Sequence, residues 1–508
     1  MIVDNLNNKK TQVCIIGSGL GGGTLALKLA EKGISFIIIE AGGLDNNSQN
    51  VTHENTGRDF GLRTTRSIQL GGTSNLWHGV LSPLDEIDFK SREWIPGSGW
   101  PLTLKDLNNF YQEASTLLGV KNYNYFTTDK LPDNLKDELG NVEFNQDILK
   151  NKMFQQPLPA KNFKADILEL VKDSNKYHLC LNSVALELVT DGGITTSLKI
   201  GKEDGSIFEI QADNFVISSG ALETPRLLLN SNLNNTSVGK YLMDHPMANL
   251  CQIESKTKRK SHLYSAMKYA PNIAIKTGLE LQDSIQEKLK LPNHNFYLRP
   301  SFTKGIDNKT EKIILSLLTF RDGGVTLKDV WNVISNIKVI FQVVLYKFSL
   351  NPSHKYSDLW FVTEQIPHKD SNVTLANSCD KWGYPISSVN WELTDQDERS
   401  MVKWYDLLKN ECFDSEHYLF KDQFKDTDWS ENFTSAAHHV GTARMADTEE
   451  NGVVDKNLKV FGSDNLFVCD GSIFSTSGNV NCGLTISAFA CRLAHHLSAN
   501  FKIGTQQT

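Results

Sequence analysis

The sequence predicts an α/β protein that combines a Rossmann-like nucleotide-binding domain with a second, α+β domain. Three features near the amino terminus predict the first domain: an apolar run of strand type, a glycine-rich turn directly after it, and a second apolar strand that ends at an acidic residue. The length of 508 residues predicts the second domain, because chains of this size rarely fold around one core.

The first strand covers residues 13–16 and runs into a turn in which Gly17, Gly19 and Gly22 have the spacing GxGxxG. Residues 24–33 follow with helical apolar spacing. The first glycine permits a tight turn, the second lets a pyrophosphate approach the backbone, and the third lets the helix pack closely. The amino terminus of the helix favours the phosphate charge. This order of elements predicts a dinucleotide site.

The second strand, residues 36–39, ends at Glu40. A carboxylate at this position accepts hydrogen bonds from ribose hydroxyls and repels a 2′-phosphate. The glycines and Glu40 together leave both FAD and NAD open as the cofactor.

Composition excludes several classes of protein. A formal net charge of −7 gives no reason to expect a nucleic-acid partner. The eight cysteines are scattered without a CxxC pair, so we expect no zinc ribbon, iron–sulfur cluster, attached haem or other metal site. Single thiols of this kind are typical of a reduced protein, and we expect a cytoplasmic location.

Membrane insertion is not expected. Residues 1–11 are polar and lack the apolar core of a secretion signal. No stretch reaches the roughly 18 uninterrupted apolar residues of a membrane span. Residues 325–348 carry apolar side chains at helical spacing. We interpret them as a core-facing or dimer-facing helix, with a membrane-surface helix or a pocket lid as the alternative.

Four further segments carry recognisable patterns. Residues 70–79 contain two consecutive glycines followed by Thr73 and Ser74, whose hydroxyls can bond to cofactor oxygens. Residues 99–120 begin with Gly-Trp-Pro, and residues 214–246 end in Asp244-His245-Pro. Residues 438–486 contain the pattern HxxGTxRM, then Asp470-Gly471, then Asn481 before an apolar helix.

Together these segments resemble the glucose–methanol–choline (GMC) family of FAD-dependent oxidoreductases, over nearly the whole chain. The resemblance implies FAD as the cofactor and a Rossmann-like FAD-binding domain with an α+β substrate-binding cap. The cofactor-binding residues that it implies are Gly17, Gly19, Gly22, Glu40, Gly72, Thr73, Ser74, Asp470 and Gly471.

The resemblance also implies two catalytic residues, His438 and Asn481. A histidine near neutral pKa can accept the proton of an alcohol as the α-hydrogen leaves as hydride, and an uncharged amide can hold the alcohol oxygen. The neighbouring His439 would point to the opposite face if this segment is a strand. Whether His439 or Cys482 contributes stays open, and we interpret His245 as a scaffold residue.

Family members with covalently attached flavin carry a histidine where this chain has Leu76. Leucine has no nucleophile, and His78 lies two residues further along. The resemblance therefore implies non-covalent FAD.

By analogy with the family, the FAD-binding domain comprises residues 1–98, 155–249 and 435–508, and the cap comprises residues 99–154 and 250–434. The implied activity is oxidation of a CH–OH group on a small-molecule substrate that is sugar-like, a polyol or an aminoglycoside. The alternatives are oxidation of a sterol or aliphatic alcohol, and a lyase with structural flavin. The electron acceptor stays open between oxygen, a quinone and a protein.

Overall fold

The computed structural model of the protein describes residues 2–3, 10–45, 53–59, 61–233, 235–260, 263–305, 337–348, 350, 352–422 and 429–504. The strands are β1 Thr11–Ile16, β2 Phe36–Ile39, β3 His53–Asn55, β4 Leu149–Pro157, β5 Tyr177–Cys180, β6 Ser183–Asp191, β7 Ile194–Lys202, β8 Ile207–Ile210, β9 Ala212–Ile217, β10 Pro246–Arg259, β11 Met267–Ala270, β12 Ile273–Leu281, β13 Asn295–Ser301, β14 His354–Val362, β15 Asn372–Cys379, β16 Pro385–Asn390, β17 Tyr418–Asp422, β18 Thr434–Ser435 and β19 Leu466–Val468. The helices are α1 Leu20–Glu31, α2 Leu62–Thr65, α3 Glu86–Phe89, α4 Leu104–Leu117, α5 Asp133–Lys136, α6 Phe163–Val171, α7 Thr224–Asn230, α8 Asp283–Leu289, α9 Ile337–Lys347, α10 Asp395–Leu407 and α11 Gly483–Gly504.

A five-stranded parallel sheet forms the centre of the nucleotide-binding half, with the strand order β19-β9-β1-β2-β5. All four residues of β2 are buried, as expected for a parallel strand covered on both faces. Helix α1 packs against α6 and α11 beside this sheet. The predicted Rossmann-like architecture is confirmed.

Helix α1 begins at Leu20, inside the glycine run and four residues before the predicted start. The helix can begin this early because the glycines of the run have no β-carbon. Gly17 has a φ of +100°, which favours glycine, and a β-carbon at Gly22 would lie 2.0 Å from the Gly17 carbonyl oxygen. The first turn of α1 can therefore lie against the loop that precedes it.

An eight-stranded antiparallel sheet dominates the other half of the molecule. Its main path is β11-β12-β13-β14-β10-β17, with β4 paired to β12 and β18 paired to β10. Helix α10 closes one side, where Trp404 and Met401 are buried in a cluster with Phe296 and Phe361. This sheet and α10 are called the cap below, and the predicted α+β character is confirmed. Two three-stranded sheets, β15-β16-β3 and β6-β7-β8, complete the fold.

Helix α4 and strand β4 do not follow the domain boundaries expected from the sequence. The boundaries themselves remain a prediction. Helix α4, in the range expected for the cap, packs on α11 of the nucleotide-binding half. There the Tyr111 hydroxyl lies 2.9 Å from Thr485 Oγ1. Strand β4 crosses the boundary expected at residue 155 and pairs with β12 along its whole length. Buried apolar side chains on α4 and the register of β4 decide these placements.

The predicted apolar helix at 325–348 falls partly outside the described residues, which resume at 337. Helix α9 buries Val339 and Val343 beside Phe302, while Ile337 and Phe341 are 76% and 63% exposed. None of the helices in the described ranges is both long and apolar enough to span a membrane.

Candidate active site

A cavity of about 1030 Å³ lies at the carboxyl ends of β1, β2 and β9, between the parallel sheet and the cap. This is the edge at which open α/β sheets bind their ligands. The nucleotide-binding half contributes the glycine loop after β1, and the cap contributes residues of β12, β13 and β14. Its size suits a dinucleotide together with a small substrate.

Eight of the nine predicted cofactor-binding residues line this cavity: Gly17, Gly19, Glu40, Gly72, Thr73, Ser74, Asp470 and Gly471. Gly22 does not, because it packs against the loop as the third glycine of the pattern should. A β-carbon placed on Gly19 would meet no atom within 4 Å, so the backbone at the start of α1 is open to a ligand. These positions fit a bound pyrophosphate.

Glu40 joins two loops of the cavity wall. Its Oε2 accepts hydrogen bonds from Ser18 N at 3.1 Å and from Ser18 Oγ at 2.5 Å, and its Oε1 accepts from Gly42 N at 3.0 Å. Ser18 Oγ in turn accepts a hydrogen bond from Gly71 N at 2.9 Å. Burial raises the pKa of Glu40. The hydrogen bonds that Glu40 accepts occupy most of the roughly four lone-pair sites of a carboxylate, so a ribose hydroxyl would take the remaining site or replace one of these donors.

The segment after Gly71 is a short 3₁₀ helix, Gly72–Asn75, whose three predicted residues have different roles. A β-carbon on Gly72 would lie 2.9 Å from Gly19 Cα, so the two glycine loops touch. Ser74 is buried and its Oγ donates to the Gly71 carbonyl at 2.6 Å, which holds the turn. Thr73 is exposed to the cavity, and its hydroxyl is available to a ligand.

Asp470 binds backbone and side chains at the junction of three segments. Its Oδ2 accepts from Gly220 N at 2.9 Å and from Thr224 Oγ1 at 2.6 Å, and its Oδ1 accepts from Ser472 N at 2.8 Å. Asp470 thereby holds Gly471 in the cavity wall.

His438 and Asn481, the two predicted catalytic residues, meet in the cavity wall. His438 Nε2 lies 3.0 Å from Asn481 Nδ2, although the residues are 43 positions apart. The backbone N–H of His438 donates to Asp244 Oδ1 at 3.0 Å, which anchors the loop. The Nε2 atom of His438 and the side-chain amide of Asn481 therefore face the same part of the cavity.

A chain of hydrogen bonds defines the tautomer of His438. His245 Nε2 lies 3.0 Å from the Ser477 carbonyl, which can only accept, so this nitrogen carries the proton. Neutral His245 then has a free lone pair on Nδ1, which lies 3.0 Å from His438 Nδ1. His438 must donate there, so its Nε2 is unprotonated and accepts from Asn481. A lone pair on Nε2 is what a general base requires.

Burial keeps these histidines neutral. It lowers the pKa of His438 well below the ordinary value, with smaller contributions from His245 and His439. It also lowers the pKa of His245. A neutral ring is the form that can take a proton from an alcohol.

The expectation that His439 points away from the cavity was wrong, because residues 436–439 are not a strand and Ala437 has a φ of +62°. Both His438 and His439 line the cavity. His439 Nε2 lies 3.9 Å from Asp244 Oδ2, and burial, followed by the charge of Arg66, lowers its pKa to about 3. The two rings still differ, because His438 is the one that contacts Asn481.

Leu76, His78 and Cys482 also line the cavity. Burial raises the pKa of the Cys482 thiol to about 12, so it stays protonated at neutral pH and is a poor nucleophile. In the described part of the chain, no group of three or more histidine, cysteine, aspartate or glutamate residues could hold a metal ion.

Sequence reasoning missed three residues of the site. His245 was interpreted as a scaffold residue, although it sets the proton position on His438; its place in the Asp244-His245 pair was the available signal. Lys276 and Arg299, on β12 and β13, also line the cavity. The signal for Lys276 was its position directly after the apolar residues 273–275.

Comparisons with known proteins agree with this geometry. Two family models, both described as GMC oxidoreductase, match residues 172–247 and 367–490. The chain is 23% identical to 2-methyl-1,2-propanediol dehydrogenase of Mycolicibacterium austroafricanum, over 97% of this chain and 96% of that protein. It is 22% identical to cholesterol oxidase of Mycobacterium tuberculosis, over 95% and 90%.

Solved structures share the fold. Pyridoxine 4-oxidase from Mesorbium loti superposes with a TM-score of 0.55 at 16% identity, covering 96% of this chain and 99% of that one. An Aspergillus oryzae RIB40 formate oxidase variant gives a TM-score of 0.58 at 17% identity, over 98% and 100%. Because models of both the amino-terminal and the carboxyl-terminal GMC oxidoreductase domains match, the chain belongs to the GMC oxidoreductase family, whose members bind FAD.

Proposed function

We propose that this protein oxidises an alcohol to a carbonyl compound, with His438 as the general base and FAD bound in the cavity. The observation that carries the proposal is the 3.0 Å contact between His438 Nε2 and the Asn481 amide in the cavity wall. The relatives that the chain resembles are named as a diol dehydrogenase, a cholesterol oxidase and long-chain-alcohol oxidases, which supports an alcohol as the substrate.

The nucleotide-binding half would hold FAD through the glycine loop, Glu40, Thr73 and the turn at Gly471. Glu40 would accept hydrogen bonds from the ribose, and the start of α1 would face the pyrophosphate. Bound flavin supplies the acceptor for the hydride that leaves the alcohol carbon. With no nucleophile at Leu76, we propose that the attachment is non-covalent.

The chain's own residues handle the alcohol oxygen. The alcohol would replace the direct hydrogen bond between the two side chains: Asn481 Nδ2 would donate to the alcohol oxygen, and His438 Nε2 would accept its proton. An alcohol is a poor hydride donor until this proton leaves, because the forming carbonyl needs the electrons of the oxygen. The hydrogen bond to His245 stabilises His438 when its Nε2 takes the proton.

The walls of the cavity favour a hydroxylated substrate with one apolar face. The cap side presents Tyr264, Tyr297, Tyr346 and Trp360, and rings of this kind pack well against sugars and polyols. Lys276 on the same wall is unfavourable for a cationic aminoglycoside. We therefore propose a sugar-like or polyol substrate.

A second candidate is an aliphatic or sterol alcohol. It is favoured by α9, which contributes Tyr346 to the cavity while exposing Ile337 and Phe341 at its surface. An apolar substrate could approach along such a helix.

Anaerobic mixing of the purified holoenzyme with alcohols tests the activity. The panel contains glucose, sorbitol, octanol and cholesterol, with flavin absorbance as the readout. Bleaching by sorbitol or glucose supports the first substrate class, and bleaching by octanol or cholesterol the second. Flavin that stays oxidised with every alcohol, together with cleavage of mandelonitrile, would contradict oxidation and favour the lyase alternative.

Two adjacent variants test the base. His438→Ala should keep FAD bound while flavin reduction slows by about 10²–10⁴-fold, the usual contribution of a general base. His439→Ala serves as the matched control, because its ring also lines the cavity, whereas the 3.0 Å contact with Asn481 is made by His438. A larger loss in His439→Ala than in His438→Ala would transfer the role of base to His439.

A further inference from the structure

Two cationic side chains face the cavity from the cap, on the wall opposite the glycine loop. Lys276 lies on β12 and Arg299 on β13. These strands pair antiparallel with Leu279 opposite Phe296. Both side chains line the cavity, and Lys276 lies over the ring of Tyr297, two residues before Arg299 on β13.

Neither cation has an anionic partner in the described structure. Lys276 Nζ lies over the Tyr297 ring at 4.1 Å and over the Phe154 ring at 5.7 Å, and Arg299 lies over the Trp360 ring at 5.9 Å. Among the described residues, neither side chain makes a hydrogen bond or an ion pair. Aromatic faces attract cations, but more weakly than a carboxylate does.

Three buried cations of the molecule are neutralised by carboxylates. Arg92 donates to both oxygens of Glu364, at 2.8 and 2.5 Å. Arg226 Nη2 lies 2.6 Å from Asp380, and Lys152 contacts Asp85. Lys276 and Arg299 are only half-buried, and no carboxylate is paired with them in the described residues. Because a partly desolvated cation gains more from an anion than a fully solvated one does, two such cations in one wall favour a ligand that supplies the negative charge.

No described carboxylate that lines the cavity is paired with them, and Asp358, which lies opposite Arg299 on β14, accepts a hydrogen bond from Gln252 at 2.8 Å. Among the described residues that line the cavity, the acidic ones are Glu40, Glu223 and Asp470, all from the nucleotide-binding half. Glu223 pairs with Arg226 and Arg66, at 3.4 and 3.7 Å. Burial lowers the pKa of Lys276 to about 8, and a neighbouring anion would favour its charged form.

We propose that Lys276 and Arg299 bind an oxyanion, a carboxylate or a phosphate, carried by the alcohol substrate. The substrate would then be an acidic polyol, of the hydroxy-acid or sugar-phosphate class, with its charge at the cap wall and its hydroxyl at His438. This inference rests on the proposed function for the hydroxyl end, whereas recognition of the anion depends only on the two cations.

Calorimetric titration of the holoenzyme with benzoate and benzamide tests anion recognition without turnover. The two probes have nearly the same shape and differ in charge, and phenyl phosphate distinguishes a preference for phosphate from one for carboxylate. Benzoate or phenyl phosphate should bind at least about 10-fold more tightly than benzamide, since a hydrogen bond to a charged group contributes on the order of 10- to 100-fold in affinity. Equal affinities, or no binding by any probe, would overturn the proposal.

Variants of Lys276 and Arg299 test whether these two side chains cause the preference for anions. Lys276→Met and Arg299→Gln should each reduce the preference for the anion about 10-fold or more, while Lys276→Arg keeps it. Lys268→Met is the matched control, because Lys268 is exposed on neighbouring β11 and does not line the cavity. A preference that survives in both Lys276→Met and Arg299→Gln would overturn the assignment. If the anions bind as expected but no alcohol reduces the flavin, gluconate and glucose 6-phosphate included, the proposed function fails and the anion site stands.

Discussion

Replacement of His245 by phenylalanine would remove the acceptor that sets the proton position on His438. In the wild-type protein the two Nδ1 atoms lie 3.0 Å apart, and the His245 ring is fixed by the Ser477 carbonyl at 3.0 Å. Without that acceptor, neutral His438 can place its proton on Nε2. This tautomer cannot take the proton of an alcohol.

The size of the effect follows from one hydrogen bond. A neutral hydrogen bond contributes about 0.5–1.5 kcal/mol, which corresponds to roughly 2- to 13-fold in the population of the active tautomer. Looser orientation of the His438 ring adds to this, so we expect flavin reduction to slow about 10-fold in His245→Phe. The loss should be smaller than that in His438→Ala, which removes the base itself.

Anaerobic stopped-flow measurement of flavin reduction gives the rate, and thermal unfolding of the same samples reports stability. His294→Phe is the control for burial, since His294 is fully buried and bonded to Ser400 Oγ at 3.2 Å, away from the cavity. It should lose stability without slowing reduction. His245→Asn keeps an acceptor oxygen near the position of Nδ1 and should recover most of the rate.

Two results would refute this reasoning. The first is an unchanged reduction rate in a folded, FAD-loaded His245→Phe variant. The second is an equal slowing by His294→Phe, which would mean that lost stability and not the tautomer controls the rate.

Three further predictions follow from the same structure. Glu40→Ala should weaken FAD retention by roughly 1–3 kcal/mol in a fluorescence titration, because the ribose hydroxyls lose their acceptor and the Ser18 and Gly42 N–H groups that shape the site lose theirs. Glu31→Ala, on the same half of the molecule, is the control, and wild-type retention in Glu40→Ala would place the ribose elsewhere. Acid denaturation should release free FAD into the supernatant, as Leu76 cannot form a bond to flavin, and flavin retained in the precipitate would implicate His78, which lines the same cavity. Burial lowers the pKa of His294 to about 3, so below the ordinary value of about 6.5 this residue takes up a proton in the unfolded chain and not in the folded one. Between pH 7 and pH 5, the free energy of unfolding in urea should therefore fall by about 2 kcal/mol more in the wild-type protein than in His294→Gln. Equal pH dependence in both proteins would contradict a neutral buried ring.

Local pattern was sufficient to predict the nucleotide-binding half. An apolar strand, three glycines at fixed spacing and an acid after the next strand are contiguous features, and their physical roles follow from backbone geometry alone. The start of α1 was misjudged by four residues because glycines disfavour helices in isolation. In the folded protein the same glycines allow the close approach of Gly22 to the Gly17 carbonyl.

The sequence by itself determined which residue types are available for the chemistry: a histidine, an amide and the glycine turns, in an order shared with the GMC family. Tertiary structure alone decided how they act. The proton position on His438 depends on His245, 193 residues away, and on the Ser477 carbonyl, 232 residues from His245. The unpaired state of Lys276 and Arg299 depends on which carboxylates fold towards them. Contacts between distant segments carry no periodic or local signature, so only the folded chain reveals them.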